Sequence, residues 1–421
     1  MWRSAASFVL GAALATAPAG EPGMPRADEK LLDDLERAGV LYFWEQADQD
    51  TGLVKDRSLA DGSDNRAVGS IAAGGFGLTA LCIADQRGYI AHNPALARAK
   101  KALWFLARRL PAVHGFYYHF NNVHTGERAW NCELSSIDTA ILLCGVLTCR
   151  QYFDDSDIRH LARQIDERID WPWMANSGAT LTMGWKPESG FLKSRWDGYN
   201  EAVMLYLLAI GSPAHPLPPS AWSSFKRPLF EYGGLRYIHQ GTPLFTHQYP
   251  HGWFDFQGRS DKYEDYFQNS ILATRAHRLF CISLHDRFPS FSADLWGVTS
   301  SDSAKGYVAW GGPPALGPLD GTVVPAAAGG SIAFLPRETI HTLRSMRDRF
   351  GDRIWKRYGF VDAFNPQTGW VDPDVIGIDV GITLLMAENV RSRFVWRTFM
   401  KNEEARRAMD LAGLRAAGSR Q

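Results

Sequence analysis

The sequence predicts an all-α protein folded as an (α/α)6 toroid of six inner and about six outer helices. Six runs are apolar on nearly every face and rich in small residues. They begin near Ser70, Ser135, Asn200, Tyr266, Pro325 and Asp379, so by subtraction successive starts lie 65, 65, 66, 59 and 54 residues apart. Recurrence of that kind marks repeated supersecondary units. Between the runs lie segments with a single charged face, at 29–46, 94–109, 156–168 and 337–350. A helix apolar all round must be enclosed, whereas one with a polar stripe faces water.

In chain order, residues 1–20 carry one Arg, a short apolar stretch and small residues of the Ala-x-Ala kind, which reads as a secretory signal peptide. Its apolar part falls short of the ~20 residues that span a bilayer, and no later segment does better, so an exported, periplasmic or secreted protein without a membrane span is expected. Residues 21–421 contain no Pro/Ser/Gly-rich linker and read as one catalytic domain. The glycines of the first inner run, Gly74, Gly75 and Gly77, follow no strand pattern and suit close helix packing better than a dinucleotide loop. One outer element is weak, because residues 288–307 carry Pro, Ser, Asp and Gly without a helical stripe.

Composition narrows the function. Lys and Arg total 45, as do Asp and Glu, which leaves no excess of positive charge to meet nucleic-acid phosphates. Fifteen Trp, 14 Tyr and 23 Phe are many for a core alone, and a number of them adjoin Asp, Asn, His or Gly, a pairing suited to sugar rings. The five cysteines, Cys82, Cys132, Cys144, Cys149 and Cys281, show no metal-binding spacing; a disulfide is open, and most lie in apolar runs as small core residues.

In a toroid the N-termini of the inner helices gather on one face. The loops ahead of them read RAWNCE, KSRWDGYNE, THQYPHGWFDFQG, GPLDGTVVP and GWVDPDVIGID, so acids, amides and rings converge. Helix N-termini add unpaired N–H groups and the positive end of the dipole. Glu133 precedes its helix cap by two residues and is not needed to close the helix. Glu201 follows Trp196, Tyr199 and Asn200 in WDGYNE, and Tyr199 and Asn200 are themselves candidate substrate contacts. In the first turn of a helix the Glu201 pKa should fall, so proton donation requires burial against Trp196 and Tyr199 to outweigh the dipole. Asp138 with Ser135 resembles a capping box, and Asp379 can cap the last inner helix or meet a ligand between Gly377 and Gly381. Trp130, Trp196, Trp253 and Trp370 are candidate sugar platforms, each with a core ring as its plain alternative. His119, His247, Gln248, Tyr249, His251 and Asp255 are candidate partners of sugar hydroxyls. Asp372 and Asp374 could hold calcium, but a Pro-shaped turn explains them as well, and neither metal nor cofactor is expected.

Blocks spread along nearly the whole chain carry a family resemblance: YFWEQADQDTGLVKDRS, SIAAGGFGLTALCI, ELSSIDTA, MGWKPESGFL, WDGYNEA, LFTHQYPHGWFDFQG and DAFN with WV. In these the chain resembles bacterial glycoamylase-like glycoside hydrolases whose characterised members are endo-β-1,2-glucanases, related to a domain of cyclic β-1,2-glucan synthases. The resemblance implies an oligo- or polysaccharide substrate with sophorose-type linkages, Glu201 as general acid, and Glu133 or Asp379 on the water side with Asp138 in support. It implies inversion for the hydrolases, whereas the synthase-associated domains look retaining. A retaining transglycosylase, an exo-acting β-glucosidase, a polysaccharide lyase and an inactive glycan-binding protein are the rival readings. The neutral charge and the acid-rich loops weigh against the lyase, which needs a His, Tyr or Lys base and cations for a uronate.

Overall fold

The computed structural model describes residues 24–241, 243–314 and 317–416; the leader expected at 1–20 lies outside the described residues. Its α-helices are α1 (Arg26–Glu45), α2 (Ile71–Gln86), α3 (His92–Arg108), α4 (Ser136–Tyr152), α5 (Ser156–Glu167), α6 (Trp171–Ala175), α7 (Ala202–Gly211), α8 (Tyr249–Trp253), α9 (Tyr266–Ser283), α10 (Pro325–Gly329), α11 (Pro336–Phe350), α12 (Gly377–Ser392), α13 (Phe394–Phe399) and α14 (Glu403–Leu411). Short strands accompany them in two- and three-stranded sheets only.

Three of these strands run straight into enclosed helices: Val68–Ser70 into α2, Leu134–Ser135 into α4 and Asp374–Ile376 into α12. The change from strand to helix needs a residue that is extended yet satisfies the free N–H groups of the first turn. Ser70 and Ser135 do this, their hydroxyls accepting from Ala73 N and Asp138 N. Nothing caps α12 through a side chain, so Asp379 in its first turn is not used as a cap. The strand Asp374–Ile376 pairs antiparallel with Arg57–Leu59, tying the last enclosed helix back to the beginning of the chain.

The enclosed helices pack in sequence: α2 on α4, α4 on α7, α7 on α8, α8 on α12 and α12 on α2, with α10 against α12. Gln248, just before α8, reaches the α10 segment by donating to Ala327 O and Ser331 Oγ at 3.0 and 2.8 Å. Outside this circuit, α1 covers α2 and α12, α3 and α5 cover α2 and α4, α11 covers α10, and α14 covers α7. The short α13 touches α2, α4, α8 and α12 at once, with Phe394, Val395, Trp396 and Phe399 buried. One hydrophobic core cluster extends from Leu31 to Leu414.

Two expectations change here. The run starting at Tyr266 is not enclosed: α9 alternates buried and exposed positions, with Leu279 40% exposed, and packs on the hairpin of Leu229–Tyr232 and Leu235–Ile238. The enclosed place it was assigned belongs to α8, whose five residues YPHGW include Pro and Gly and are too few to display a helical period. Residues 288–307 form no helix but lead through Ser300–Ser301 into a small hairpin with Val308–Ala309.

The glycines of α2 act as close-packing residues. A Cβ on Gly145 of α4 would lie 2.1 Å from Gly75 O, and one on Gly75 would lie 2.3 Å from Ile141 O. Backbone meets backbone there, so neither side can yield by a rotamer change. Gly145→Ala is therefore expected to destabilise the fold by about 3 kcal/mol or more. Denaturant unfolding checks this, and a loss within ~0.5 kcal/mol would refute the close approach. All five thiols are free and buried; Cys82 and Cys149 Sγ lie 3.7 Å apart across the same helix pair.

Candidate active site

The N-terminal ends of α2, α4, α7, α8 and α12 meet at a cavity of about 430 Å³ lined by Ser70, Ile137, Asp138, Ile141, Glu201, Tyr249, Ile376 and Ile378 among others. From outside those helices come Asp56, Arg57, His119, Phe120, Phe245 and Tyr307.

Glu201 caps α7 with helical backbone angles and makes no side-chain cap bond; Asn200 Oδ1 instead accepts from Ala202 N at 3.0 Å. Its carboxyl is thus free of the helix end. Burial pushes its pKa up to about 7, outweighing the hydrogen bond from its own backbone, and the charge of Asp138 adds to the rise. The tension between helix end and burial is resolved in favour of burial, but not by the two rings expected. The Trp196 indole donates to Ser136 Oγ at 2.9 Å, and Tyr199 faces Tyr266 and His247 with ring centroids 5.9 and 5.3 Å away. The apolar wall of the cavity that holds Glu201 comes from Ile137, Ile141, Phe245 and Tyr249.

Asp138 is a capping residue and a cavity residue at once. Its backbone N–H donates to Ser135 Oγ at 3.2 Å, its carboxylate receives the Ser135 hydroxyl, and Oδ2 lies 3.5 Å from His119 Nε2. The other ring nitrogen of His119, Nδ1, is 3.2 Å from Glu133 Oε1. His119 therefore stands between the two acids, and its pKa is raised: burial opposes the charged form, but Asp138 and Glu133 overcome it. Glu133 is half-buried and does not line the cavity; the His119 hydrogen bond holds its carboxyl below the usual range.

Asp379 is buried and hydrogen-bonded to Asp362; like Glu133 it is not among the residues lining this cavity, and with Asp362 it lines a smaller one that shares Ile376. Burial raises both carboxyls, Asp379 to about 7, and the bond between them adds to the rise of Asp362 while opposing that of Asp379. The Tyr249 hydroxyl feels the charges of Asp379, Glu201 and Asp138, which puts it among the three.

The remaining candidates divide clearly. Trp253 is wholly buried and donates to Thr79 Oγ1 at 2.9 Å. His247 Nε2 pairs with His239 Nδ1 at 3.0 Å, and His251 Nε2 with Ser270 Oγ at 3.0 Å; burial lowers both pKa values, that of His251 to about 3. Gln248 is spent on Ala327 and Ser331, and Asp255 on Arg393. Of the HQYPH cluster only Tyr249 reaches the cavity. Trp196, Tyr199 and Asn200 are buried and do not line the cavity, and Trp370 is half-buried in a strand pair with Phe364–Asn365. Trp130 differs from them all: it is 66% exposed at a φ of 52°, with its ring 4.9 Å from Phe120 of the cavity wall.

Sequence reasoning missed Arg57, Asp302, Tyr307 and Asp362. Arg57 pairs with Asp56 at 2.9 Å and Asp302 at 2.5 Å, and Asp302 N donates to Asp362 Oδ2 at 2.8 Å. Asp302 and Tyr307 come from the stretch without helical stripe, whose polar, Gly-containing sequence was the available signal.

Among known proteins, the family model for glycoamylase, described as "Putative glucoamylase", matches residues 193–403. An exo β-1,2-glucooligosaccharide sophorohydrolase (non-reducing end) of Parabacteroides distasonis is 28% identical over 91% of this chain. The chain spans 58% of the length of that relative. The solved endo-β-1,2-glucanase of Chitinophaga pinensis, in complex with sophorotriose and glucose, is 26% identical with a TM-score of 0.86, covering 92% of this chain and 99% of that one. The solved β-1,2-glucanase of Parabacteroides distasonis is 26% identical with a TM-score of 0.85, covering 92% of this chain and 60% of that one.

Proposed function

The chain belongs to the glycoamylase family, and we propose that it is a glycoside hydrolase that cleaves β-1,2-linked glucan within an (α/α)6 toroid. The circuit of enclosed helices, with α7 and α12 separated by α8 on one side and by α2 and α4 on the other, supports the toroidal reading. The names of the relatives support the substrate class. We further propose, on the leader expected at residues 1–20, that the protein meets glucan in the periplasm or outside the cell.

One observation carries the chemistry: a carboxyl raised to about 7 at the cavity, with a second buried carboxyl hydrogen-bonded to an acid neighbour. Glu201 is the general acid that protonates the glycosidic oxygen as the bond breaks. Asp379, hydrogen-bonded to Asp362, accepts a proton from the attacking water. Asp138 and His119 order the wall between them, and Glu133 acts through His119, so Asp379 is preferred to Glu133 as base. A water between base and sugar makes the reaction a single displacement with inversion, the arrangement that separates the carboxyls by ~6.5–9.5 Å. Phe120 and the exposed Trp130 extend the binding surface outward from the cavity, where ring faces stack on sugar C–H groups.

Because Glu201 must be protonated to act, kcat is expected to fall as pH rises through about 7. A pH profile of kcat with an alkaline limb near the ordinary Glu value of 4.5 would contradict this assignment. Incubation with linear β-1,2-glucan beside β-1,3-, β-1,4- and α-1,4-glucans tests the substrate. Release of oligosaccharides from the β-1,2 chain alone is expected; no product from it, or an ultraviolet-absorbing unsaturated product, would overturn the reading.

A further inference from the structure

Beside the cleft, carboxylate oxygens of Asp302, Asp372 and Asp374 all lie within 4.8 Å of one another. Asp372 and Asp374 flank Pro373, and Asp302 arrives from the hairpin of Ser300–Ser301 and Val308–Ala309. Three facts make this more than a crowd of acids. Asp372 is 3% exposed, and its Oδ2 has no hydrogen-bond partner, while Oδ1 accepts from Asp374 N at 3.0 Å. Carboxyls outnumber guanidinium groups: Arg57 and Arg66 are bonded to Asp56, Asp302, Asp64 and Asp374, and Asp372 has neither. The turn accounts for Asp372 Oδ1 but leaves Oδ2 with nothing to receive.

We propose that Asp302, Asp372 and Asp374 bind a divalent cation of the calcium type. A hard cation takes oxygen ligands at ~2.3–2.6 Å and accepts 6–8 of them in flexible geometry, so three carboxylates completed by backbone carbonyls and waters suit calcium better than octahedral magnesium. Asp374 already receives Arg66 through both oxygens, at 2.7 Å each, and retains a lone pair on each for a second partner. Asp302 gives Oδ2 to Arg57 and has its other oxygen for the ion. The alternative of a buried, uncompensated carboxylate is costly, and such a group either takes a proton or takes a cation. The bound ion pins the hairpin that carries Asp302 and Tyr307 onto the last strand before α12. It joins the two chain segments that frame the Asp362 side of the cleft, a role that does not depend on the substrate assignment.

The test is calcium binding by the full chain after chelator treatment, read by thermal unfolding with added CaCl2 and by tryptophan-sensitised TbCl3 luminescence. Saturable luminescence that calcium competes away is expected, with a rise in Tm of roughly 2–4 °C once calcium is well above its Kd. Magnesium should produce a smaller rise at the same concentration. Asp372→Asn should abolish both signals; should that variant not fold, Asp302→Asn must lower terbium affinity at least about tenfold. No shift in wild-type Tm up to about 10 mM calcium, beyond the range of weak extracellular sites, overturns the proposal. So does an unchanged response in Asp372→Asn or, where that variant does not fold, in Asp302→Asn.

Discussion

Glu201→Gln is expected to lower hydrolysis of β-1,2-glucan roughly 10²–10⁴-fold, the usual contribution of a positioned general acid, equivalent to about 3–5 kcal/mol of barrier. Gln is nearly isosteric and cannot donate a proton to the leaving oxygen, so oligosaccharide binding should persist. The same substitution should raise stability at alkaline pH. Glu201 has a folded pKa of about 7 against an ordinary 4.5, so the stability it contributes is present below 4.5 and is lost as pH climbs to 7. Above pH 7 the wild type carries a buried charge that costs roughly 3 kcal/mol and that the Gln variant lacks. Urea unfolding at pH 5 and pH 8 reads this directly: the variant's advantage should appear at pH 8 and shrink at pH 5. Equal stability of the two proteins at pH 8 would mean that burial does not raise the Glu201 pKa.

Asp379→Asn should cost a similar roughly 10²–10⁴-fold in turnover for a different reason. Asn cannot accept the proton from water, and its amide replaces an acceptor of the Asp362 hydroxyl. The two variants separate by leaving group. An aryl β-glucoside of low leaving-group pKa departs without acid assistance, so it should restore much of the activity of Glu201→Gln. It should do nothing for Asp379→Asn, whose defect is on the water side. Rescue of both variants, or of Asp379→Asn alone, would reverse the roles assigned.

The helices α2, α4, α7 and α12 were legible because each of these enclosed runs is long, apolar all round and announced by a Ser or a carboxylate at its start. Ser70, Ser135 and the WDGYNE block gave three of the cavity's helix ends at the positions found. α8 escaped because five residues hold little more than one turn, and a Pro and a Gly inside them read as loop. α9 reads as an enclosed helix because its buried face mixes Asn269, Ser270, Thr274 and His277 with Tyr266, Ala273, Ala276, Phe280 and Cys281, while apolar residues such as Ile271, Leu272 and Leu279 stand on its other sides.

The site was legible in its acids and less so in its rings. Glu201, Asp138 and Asp379 announce themselves by standing at helix starts, where a single position in sequence determines a place in space. A Trp or His in a loop carries no such information, and Trp196, Trp253, His247 and His251 turned inward to Ser136, Thr79, His239 and Ser270. Asp362 and Asp302 could not be assigned from sequence, because their meaning comes from contacts with Asp379 and Arg57 made across 17 and 245 residues of chain.

The most direct test of two carboxyls acting from α7 and α12 through one water is the anomer first released from linear β-1,2-glucan, followed by proton NMR before mutarotation. The α-anomer, appearing first and relaxing toward equilibrium, is the predicted result. The β-anomer first would mean a covalent intermediate and a carboxylate in direct contact with the sugar, contradicting the role given to Asp379.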